Sequence, residues 1–343
     1  MKAFLPRLEY NPGVTTNKGA IRKNARLAAK DIGILILAYQ RTSSLIEILQ
    51  KCKENGFTRI YVSVDVPSSQ DIPALSRTDA VLKILKNFES SYSGKLFYKI
   101  ATHNLGCGVS VLSGCDWLYG QEEFGIVIED DCIPSDDFFK FVQENLSFID
   151  SSTGYAVLCG TQFYSLDRHE GCIYKVKYPI FWGWATTRKQ WELSRTQLDR
   201  LLSGNSLAFK GLHFPEKVYW RAGCRRILEG YVDTWDTLLT SIFINERRSA
   251  LAPYQSLIQN VGNDEVATHT SAGTTLHGLQ LGSYEFSQQH LIQSGKDIDK
   301  WMMQEVYKIS WRHLVTTNVT KFLDRMFSSR ANLKPLCERY VDG

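Results

Sequence analysis

The segment Gly125-Ile126-Val127-Ile128-Glu129-Asp130-Asp131-Cys132-Ile133-Pro134-Ser135-Asp136-Asp137-Phe138-Phe139 decides how this chain is read. Ile126–Ile128 is short, apolar and β-branched, which predicts a buried strand. Glu129, Asp130 and Asp131 follow it without a spacer. Pro134 then breaks the strand, and Ser135 is placed to cap a helix running through Phe138 and Phe139. In open α/β sheets, ligands bind beyond the carboxyl ends of the strands. Three packed carboxylates at such an end repel one another and lose hydration, so they need a compensating cation. Oxygen ligands on a short turn suit Mg2+ or Mn2+, with diphosphate oxygens completing the shell. The competing reading is an acidic solvated turn; the apolar strand before it and the aromatic helix start after it favour the metal.

Upstream, strands and helices alternate. Ile32–Ala38 is a continuous apolar run of the kind that forms a buried parallel strand. Leu45–Asn55 reads as an amphipathic helix ended by Gly56, Thr58–Val64 as a second strand, and Asp79–Tyr92 as a second helix. Lys95–Ile100 is a third strand and Val109–Tyr119 a third helix. This alternation predicts a doubly wound α/β sheet. Four successive strand ends carry polar residues, namely Gln40-Arg41, Asp65, His103-Asn104 and Glu129–Asp131. In such a sheet those ends face one crevice.

Downstream the pattern loosens. Tyr155–Cys159 is a strand, Phe181, Trp182, Trp184 and Trp191 cluster around Gly183, and Trp235-Asp236 opens a helical stretch towards Phe243. Asn260–Thr270 is a polar loop. From about Asp297 to Arg330 the pattern is helical, rich in Trp, Met, Phe and basic residues. The division expected is a basic N-terminal extension over 1–30, with one helix near Gly19–Ala29, a catalytic α/β domain over 31–275, and a helical extension over 276–343.

The 343 residues are 43% hydrophobic, 22% charged and 12% aromatic, with a net charge of +4. That mild positive balance favours anionic ligands or membrane surfaces, and no aromatic-interleaved basic stripe argues for nucleic acid. None of the eight cysteines forms a Cys-x-x-Cys pair, which disfavours a zinc ribbon or a thioredoxin-like site. Their apolar surroundings, in a chain whose start does not read as a signal peptide, predict reduced thiols and a cytoplasmic protein. No apolar run has the length of a transmembrane helix.

No Gly-x-x-x-x-Gly-Lys-[Ser/Thr] loop, no Gly-x-Gly-x-x-Gly turn after the first strand and no Gly-x-Ser-x-Gly elbow occurs. A cation-plus-diphosphate site in an α/β crevice remains. Together, Ile34-Leu-Ile-Leu-Ala-Tyr-Gln-Arg41, Val62-Ser-Val-Asp65, Ile128–Asp131 with Pro134 and Phe138-Phe139, Gly183-Trp-Ala185 and Trp235-Asp236 resemble the glycosyltransferases of the GT-A fold. Within that group the chain is similar to inverting enzymes related to N-acetylglucosaminyltransferase I and to bacterial surface-polysaccharide transferases. The resemblance spans about Asp31–Thr270. It implies a Rossmann-like, mixed but mostly parallel sheet flanked by helices.

The resemblance also implies roles. Asp131 holds Mn2+ or Mg2+ on the nucleotide diphosphate, Asp130 meets the ribose or a metal-bound water, and Glu129 sits near nucleotide or sugar. Ala38, Tyr39 and Arg41 belong to the donor loop, with Arg41 on the diphosphate. Asp65 accepts a hydrogen bond from the base, which favours uracil in a UDP-sugar donor, and His103 and Asn104 form a base-contacting loop. Asp236 is the matching candidate for the base that takes the acceptor proton; Thr237 replaces the family's second acid, so Asp233 stays open. Trp182, Gly183 and Trp184 would line the sugar and acceptor pocket, and His269 would complete the metal shell. The partners implied are a nucleotide-sugar donor and a carbohydrate or lipid-linked glycan acceptor, as in lipopolysaccharide or O-antigen synthesis. The C-terminal Trp301, Met302, Met303, Trp311, Phe322 and Met326, with their basic neighbours, would contact the inner membrane face peripherally or pack on the domain or a homodimer partner.

Plainer roles stand beside these: a turn cap before Pro67 for Asp65, a helix cap for Asp233 and buried core for the Trp cluster. Two other functions compete. One is a sugar-nucleotide pyrophosphorylase, disfavoured because Ala38–Thr42 has no glycine. The other is a non-catalytic module that binds a nucleotide or glycan.

Overall fold

The computed structural model describes residues 26–67, 71–149, 153–164, 172–262, 281–284 and 292–311. The strands are β1 (Gly33–Ala38), β2 (Arg59–Val64), β3 (Lys95–Ile100), β4 (Phe124–Glu129), β5 (Cys132–Pro134), β6 (Tyr155–Cys159), β7 (Ile173–Val176), β8 (Trp184–Thr187), β9 (Ser249–Pro253), β10 (Ile258–Asn260) and β11 (Ile292–Ser294). The helices are α1 (Thr42–Glu54), α2 (Ile72–Ser91), α3 (Cys107–Gln121), α4 (Asp136–Asn145), α5 (Arg188–Leu202), α6 (Phe214–Leu228), α7 (Asp236–Asn245) and α8 (Lys296–Trp301).

Nine strands form one sheet in the order β11-β7-β9-β6-β8-β4-β1-β2-β3. β1, β2, β3 and β4 are mutually parallel. β8 is inserted antiparallel between β4 and β6, β9 runs parallel to β6, and β7 and β11 run against β9. Six strands thus share one direction and three oppose it, which is the mixed, mostly parallel α/β sheet expected. β5 and β10 pair separately as a small antiparallel ribbon.

Both faces of the sheet are covered, and the sequence of β1 shows why. Strand side chains alternate between faces. Leu35 and Leu37 join residues of α3, α5, α6 and α7, including Leu112, Trp191, Trp220 and Leu239. Ile34 and Ile36 join α1, α2 and α4 through Leu45, Ile48, Leu85, Phe138 and Phe139. Every residue of β1 is buried, which explains an apolar run without alternation. Ser135 caps α4 as expected, its side chain accepting the Phe138 backbone N–H at 3.2 Å. Burial of Phe138 and Phe139 then contributes about 1.5–3 kcal/mol each.

Several boundaries differ from expectation. α2 starts at Ile72 rather than Asp79, because Pro73 is tolerated in a first helical turn. Residues 29–31 form a short 3₁₀ turn, and the rest of the helix expected near Gly19–Ala29 lies mostly outside the described residues. Beyond 276, β11 pairs with β7 in the main sheet, so this segment is more than a helical extension. α8 continues into a π-turn at Met302–Val306; residues 312–343, with Phe322 and Met326, lie outside the described residues. No described helix is long and apolar enough to cross a membrane, and the seven described cysteines are free.

Candidate active site

The carboxyl ends of β1, β2 and β4 open on one crevice of about 590 Å3. It is lined by Ala38, Tyr39, Arg41, Asp65, Asn104, Glu129, Asp130, Asp131, Trp182, Asp233 and Asp236, all expected at a site. Convergence of the strand ends therefore holds with two exceptions: Gln40 is buried off the crevice and accepts from Arg77 at 2.7 Å, and His103 is exposed, lies off the crevice and pairs its ring Nδ1 with Thr102 at 3.2 Å. His269 lies outside the described residues.

Six carboxylates line the crevice and divide by what their oxygens do. Three are committed to backbone. Asp130 turns inward; its Oδ2 accepts the Tyr39 N–H at 2.7 Å and the Arg41 N–H at 3.3 Å, and the Ser44 hydroxyl donates to its carbonyl. Register explains this, because Leu37 pairs with Glu129 and sets the next residue against the β1–α1 turn. Asp130 thus fixes the turn between β1 and α1. Burial pushes its carboxyl up to about 6 against those hydrogen bonds.

Asp65 also faces backbone. Its Oδ1 accepts from Val66 at 2.8 Å and Leu105 at 3.0 Å, and its Oδ2 from Gly106 at 3.1 Å. Burial raises its pKa despite these bonds. Asp233 takes the next two amides, Cys107 at 3.0 Å and Gly108 at 3.0 Å. The two acids seal the N-terminus of α3, where unpaired N–H groups carry partial positive charge. Neither acid does only what the plainer reading gave it: Asp65 reaches past the turn before Pro67 to tie β2 to α3, and Asp233 caps α3 from a distance rather than the helix that Asp236 begins. Asn104 is exposed, and its side chain donates to the Val66 carbonyl at 2.6 Å, bracing the same turn.

The other three acids keep oxygens for chemistry. Asp236 opens α7 and is exposed. Its Oδ1 accepts from the Thr234 hydroxyl and the Thr237 N–H, both at 2.7 Å, while Oδ2 has no hydrogen bond among the described residues. The Asp131 Oδ2 lies 3.8 Å from Arg41 Nη1, and its Oδ1 takes only a weak thiol hydrogen bond from Cys132 at 3.2 Å. β10 brings Gly262 against it; a Cβ there would stand 2.3 Å from Asp131 Oδ2, so only glycine lets the chain pass. Glu129 ends β4 half-buried. Burial, then the charges of Asp131, Asp130 and Asp236, hold its carboxyl well above the usual range, with Arg41 opposing.

Arg41 is the cation among the described lining residues, 3.6 Å from Asp130 Oδ1. One guanidinium among six carboxylates leaves a strongly negative crevice, and the same field helps raise the Cys107 thiol after burial. This donor set fits a hard divalent cation: Asp131 and Glu129 present oxygens at the strand end, and the one nearby guanidinium is shared between Asp130 and Asp131. No group of three His, Cys, Asp or Glu side chains forms a ready cage among the described residues. Mg2+-type sites need none, because one or two carboxylates plus substrate phosphates suffice.

The opposite wall is aromatic and apolar: Phe163, Phe181, Trp182, Trp220, Met302, Val306 and Tyr307. Trp182 is half-buried and meets Phe163 edge-on at 5.1 Å. Gly183 and Trp184 leave the expected pocket. Trp184 is 2% exposed and packs among Phe181, Trp191 and Trp235. Gly183 adopts φ +65°, and a Cβ would stand 2.4 Å from Ile258, so its close approach is to core rather than to sugar. Trp220, Tyr307 and Phe163 carry no mark in the sequence, since they come from separate segments, and Met302, expected on a membrane or packing face, lines the crevice instead.

No protein-family model and no curated protein matches this chain. Among solved structures, the mannosyltransferase PcManGT from Pyrobaculum calidifontis, in complex with GDP-Man and Mn2+, aligns with TM-score 0.34 and 12% identity over 63% of this chain and 68% of that one. The inositol-1-phosphate CTP transferase from T. maritima aligns with TM-score 0.35 and 9% identity over 69% and 90%. The 4-diphosphocytidyl-2C-methyl-D-erythritolsynthase from Anaerococcus prevotii DSM 20548 aligns with TM-score 0.33 and 15% identity over 53% and 80%. Likeness of this size assigns no chemistry, which rests on the crevice.

Proposed function

We propose that this chain is a metal-dependent glycosyltransferase that moves a sugar, with inversion, from a nucleoside diphosphate to a carbohydrate hydroxyl. One observation carries the reading: Asp236 holds a fixed carboxylate with a free oxygen in the crevice that also contains Arg41 and Asp131.

In this reading Arg41 orients the donor diphosphate, for which a guanidinium has matching geometry. Asp131, aided by Glu129, would hold Mn2+ or Mg2+, which supplies charge neutralisation for the departing diphosphate. The acceptor oxygen attacks C1 and forms the new C–O bond. The C1–O bond to the diphosphate breaks, and its electron pair leaves with that group. Asp236 Oδ2 takes the hydroxyl proton as the bond forms. The Thr234 and Thr237 contacts hold Asp236 in one rotamer, and the aromatic wall opposite offers flat faces for a pyranose and excludes water.

A sugar-nucleotide pyrophosphorylase would use the same crevice and cation, so the product formed separates the two readings. The first test is thermal unfolding with UDP, GDP and CDP, each with Mn2+ and with EDTA, followed by product analysis with the matching sugar nucleotides. A ligand of the folded state alone raises the midpoint by mass action. A Mn2+-dependent rise with one diphosphate, then glycoside formation and diphosphate release, is expected. Pyrophosphate release from a triphosphate plus sugar phosphate, or binding without turnover on any acceptor, would overturn the reading.

A further inference from the structure

A second pocket, of about 460 Å3, lies away from the crevice and is lined by Lys177, Lys210, Gly211, Leu212, Arg247 and Arg248 among others. Four cations surround it. Lys177 is paired with Glu216, and Arg248 with Glu246 at 2.7 Å. Lys210 and Arg247 are exposed and make no ion pair among the described residues, so the pocket carries an uncompensated positive charge. Arg248 is nine-tenths buried at its side chain, stands 4.8 Å above the Phe243 ring, and its Nε has no hydrogen-bond partner among the described residues. The two pocket loops are clamped together by the Phe209 N–H, which donates to Asn245 Oδ1 at 2.9 Å.

Beside this pocket stands an exposed aromatic pair. Phe214 and Trp311 are 60% and 62% exposed, yet their rings stack at 5.5 Å and 14°. Phe214 follows the pocket residue Leu212 by two positions, so their Cα atoms lie within about 7.6 Å. All three non-glycine residues with left-handed φ among those described belong to this region: Phe209 (+51°) precedes Lys210, Arg247 (+57°) lines the pocket, and Lys308 (+51°) precedes Trp311 by three positions. Such backbone persists only where surrounding structure enforces it. Here it falls at Arg247 in the pocket, beside Lys210, and three residues before Trp311.

We infer that this face docks on an anionic phospholipid surface, with the basic pocket taking headgroup phosphates and Phe214 and Trp311 seated at the interface. Charge complementarity selects the partner: phosphates match Lys and Arg. Stacked, half-wet aromatics match the interfacial layer of a bilayer. α6 connects this face to the crevice, since Phe214 begins it and Trp220, six residues on, lines the aromatic wall about 9 Å along the axis. The inference stands on the surface alone and is independent of the transferase reading.

The test is sedimentation of the full chain with vesicles of neutral phosphatidylcholine and of phosphatidylcholine mixed with phosphatidylglycerol, at low and high salt. Binding to the anionic vesicles alone is expected, weakening with salt. Lys210→Ala with Arg247→Gly should lower partitioning about 30-fold, two charges' worth near a lipid surface. Both residues are exposed and glycine relieves the left-handed backbone at 247, so folding is preserved, checked by an unchanged thermal midpoint. Phe214→Ala with Trp311→Ala should weaken partitioning at every salt concentration. Absence of wild-type binding to anionic vesicles, or equal binding by the variants, would overturn the inference. So would calorimetric binding of free inorganic phosphate or glycerol phosphate by the pocket with no vesicle binding, which would assign it to a soluble ligand.

Discussion

Asp233 reaches back 125 positions to accept the Gly108 backbone N–H at 3.0 Å, so the loop that leads into α7 is fastened to the start of α3. Its other oxygen holds Cys107. The acid nearest in sequence to the proposed base is therefore the one that positions it. Asp233→Ala should cost about 1–2 kcal/mol of stability, as loss of a helix cap does, and Asp233→Asn should restore much of it. Urea unfolding measures both.

Asp236→Asn should leave folding and Mn2+-dependent nucleotide binding as in the wild type and reduce glycosyl transfer by about 10²–10⁴, the range for a positioned base. The readout is the turnover rate at saturating donor together with the nucleotide-induced midpoint shift. Retained turnover would move the proton to another group.

Asp131→Ala should abolish the Mn2+-dependent part of nucleotide stabilisation while keeping the unliganded midpoint, because its side chain makes only a weak thiol contact and a long ion pair with Arg41. Asp130→Ala should behave oppositely. It strands the N–H groups of Tyr39 and Arg41 in a half-buried turn, at a cost of about 1–2 kcal/mol before any ligand is added. Thermal unfolding of the two variants, with and without Mn2+ and nucleotide, separates their roles.

Gly183→Ala should destabilise by about 2–4 kcal/mol, combining a left-handed backbone with a clash against Ile258. Denaturant titration measures it.

Asp299 supplies a pH test away from the crevice. Its Oδ1 accepts the Lys177 N–H at 2.7 Å, and burial pushes its carboxyl up to about 6. The folded state then binds this proton more tightly than the unfolded state, so stability rises as pH falls from above 6 towards the ordinary carboxylate range, and the ionised form is penalised at higher pH. Asp299→Asn keeps an acceptor and removes the charge. It should stabilise the protein by about 2–3 kcal/mol at pH 8, and the difference should vanish near pH 4. Unfolding curves at the two pH values decide it.

The first half of the fold was legible because β1 reads as an unbroken apolar run, and β2 and β4 as largely apolar runs buried on both faces, between turn residues. β7, β9, β10 and β11 are three to five residues long, too short for a period to register. At the site, most of the candidate residues named from sequence do meet in one crevice, but their orientations could not be read. Glu129, Asp130 and Asp131 are chemically alike, and only the pairing of Leu37 with Glu129 turns the middle acid inward. Trp184 and Trp182 are both tryptophans near a glycine, yet one belongs to a β-strand in the core and the other to the crevice wall. The far wall drew on Phe163, Trp220 and Tyr307, residues brought together only by folding.

The closed end of α3 sets what this crevice rejects. An open helix N-terminus is a general receptor that accepts nearly any phosphate. Here Asp65 and Asp233 already occupy those amides, so an anion gains nothing there and meets two fixed negative charges instead. If the crevice binds a nucleotide sugar as proposed, those charges act as exclusion: highly charged mimics should bind poorly, and inhibitors that carry a single diphosphate-like group or are neutral overall have the better starting point.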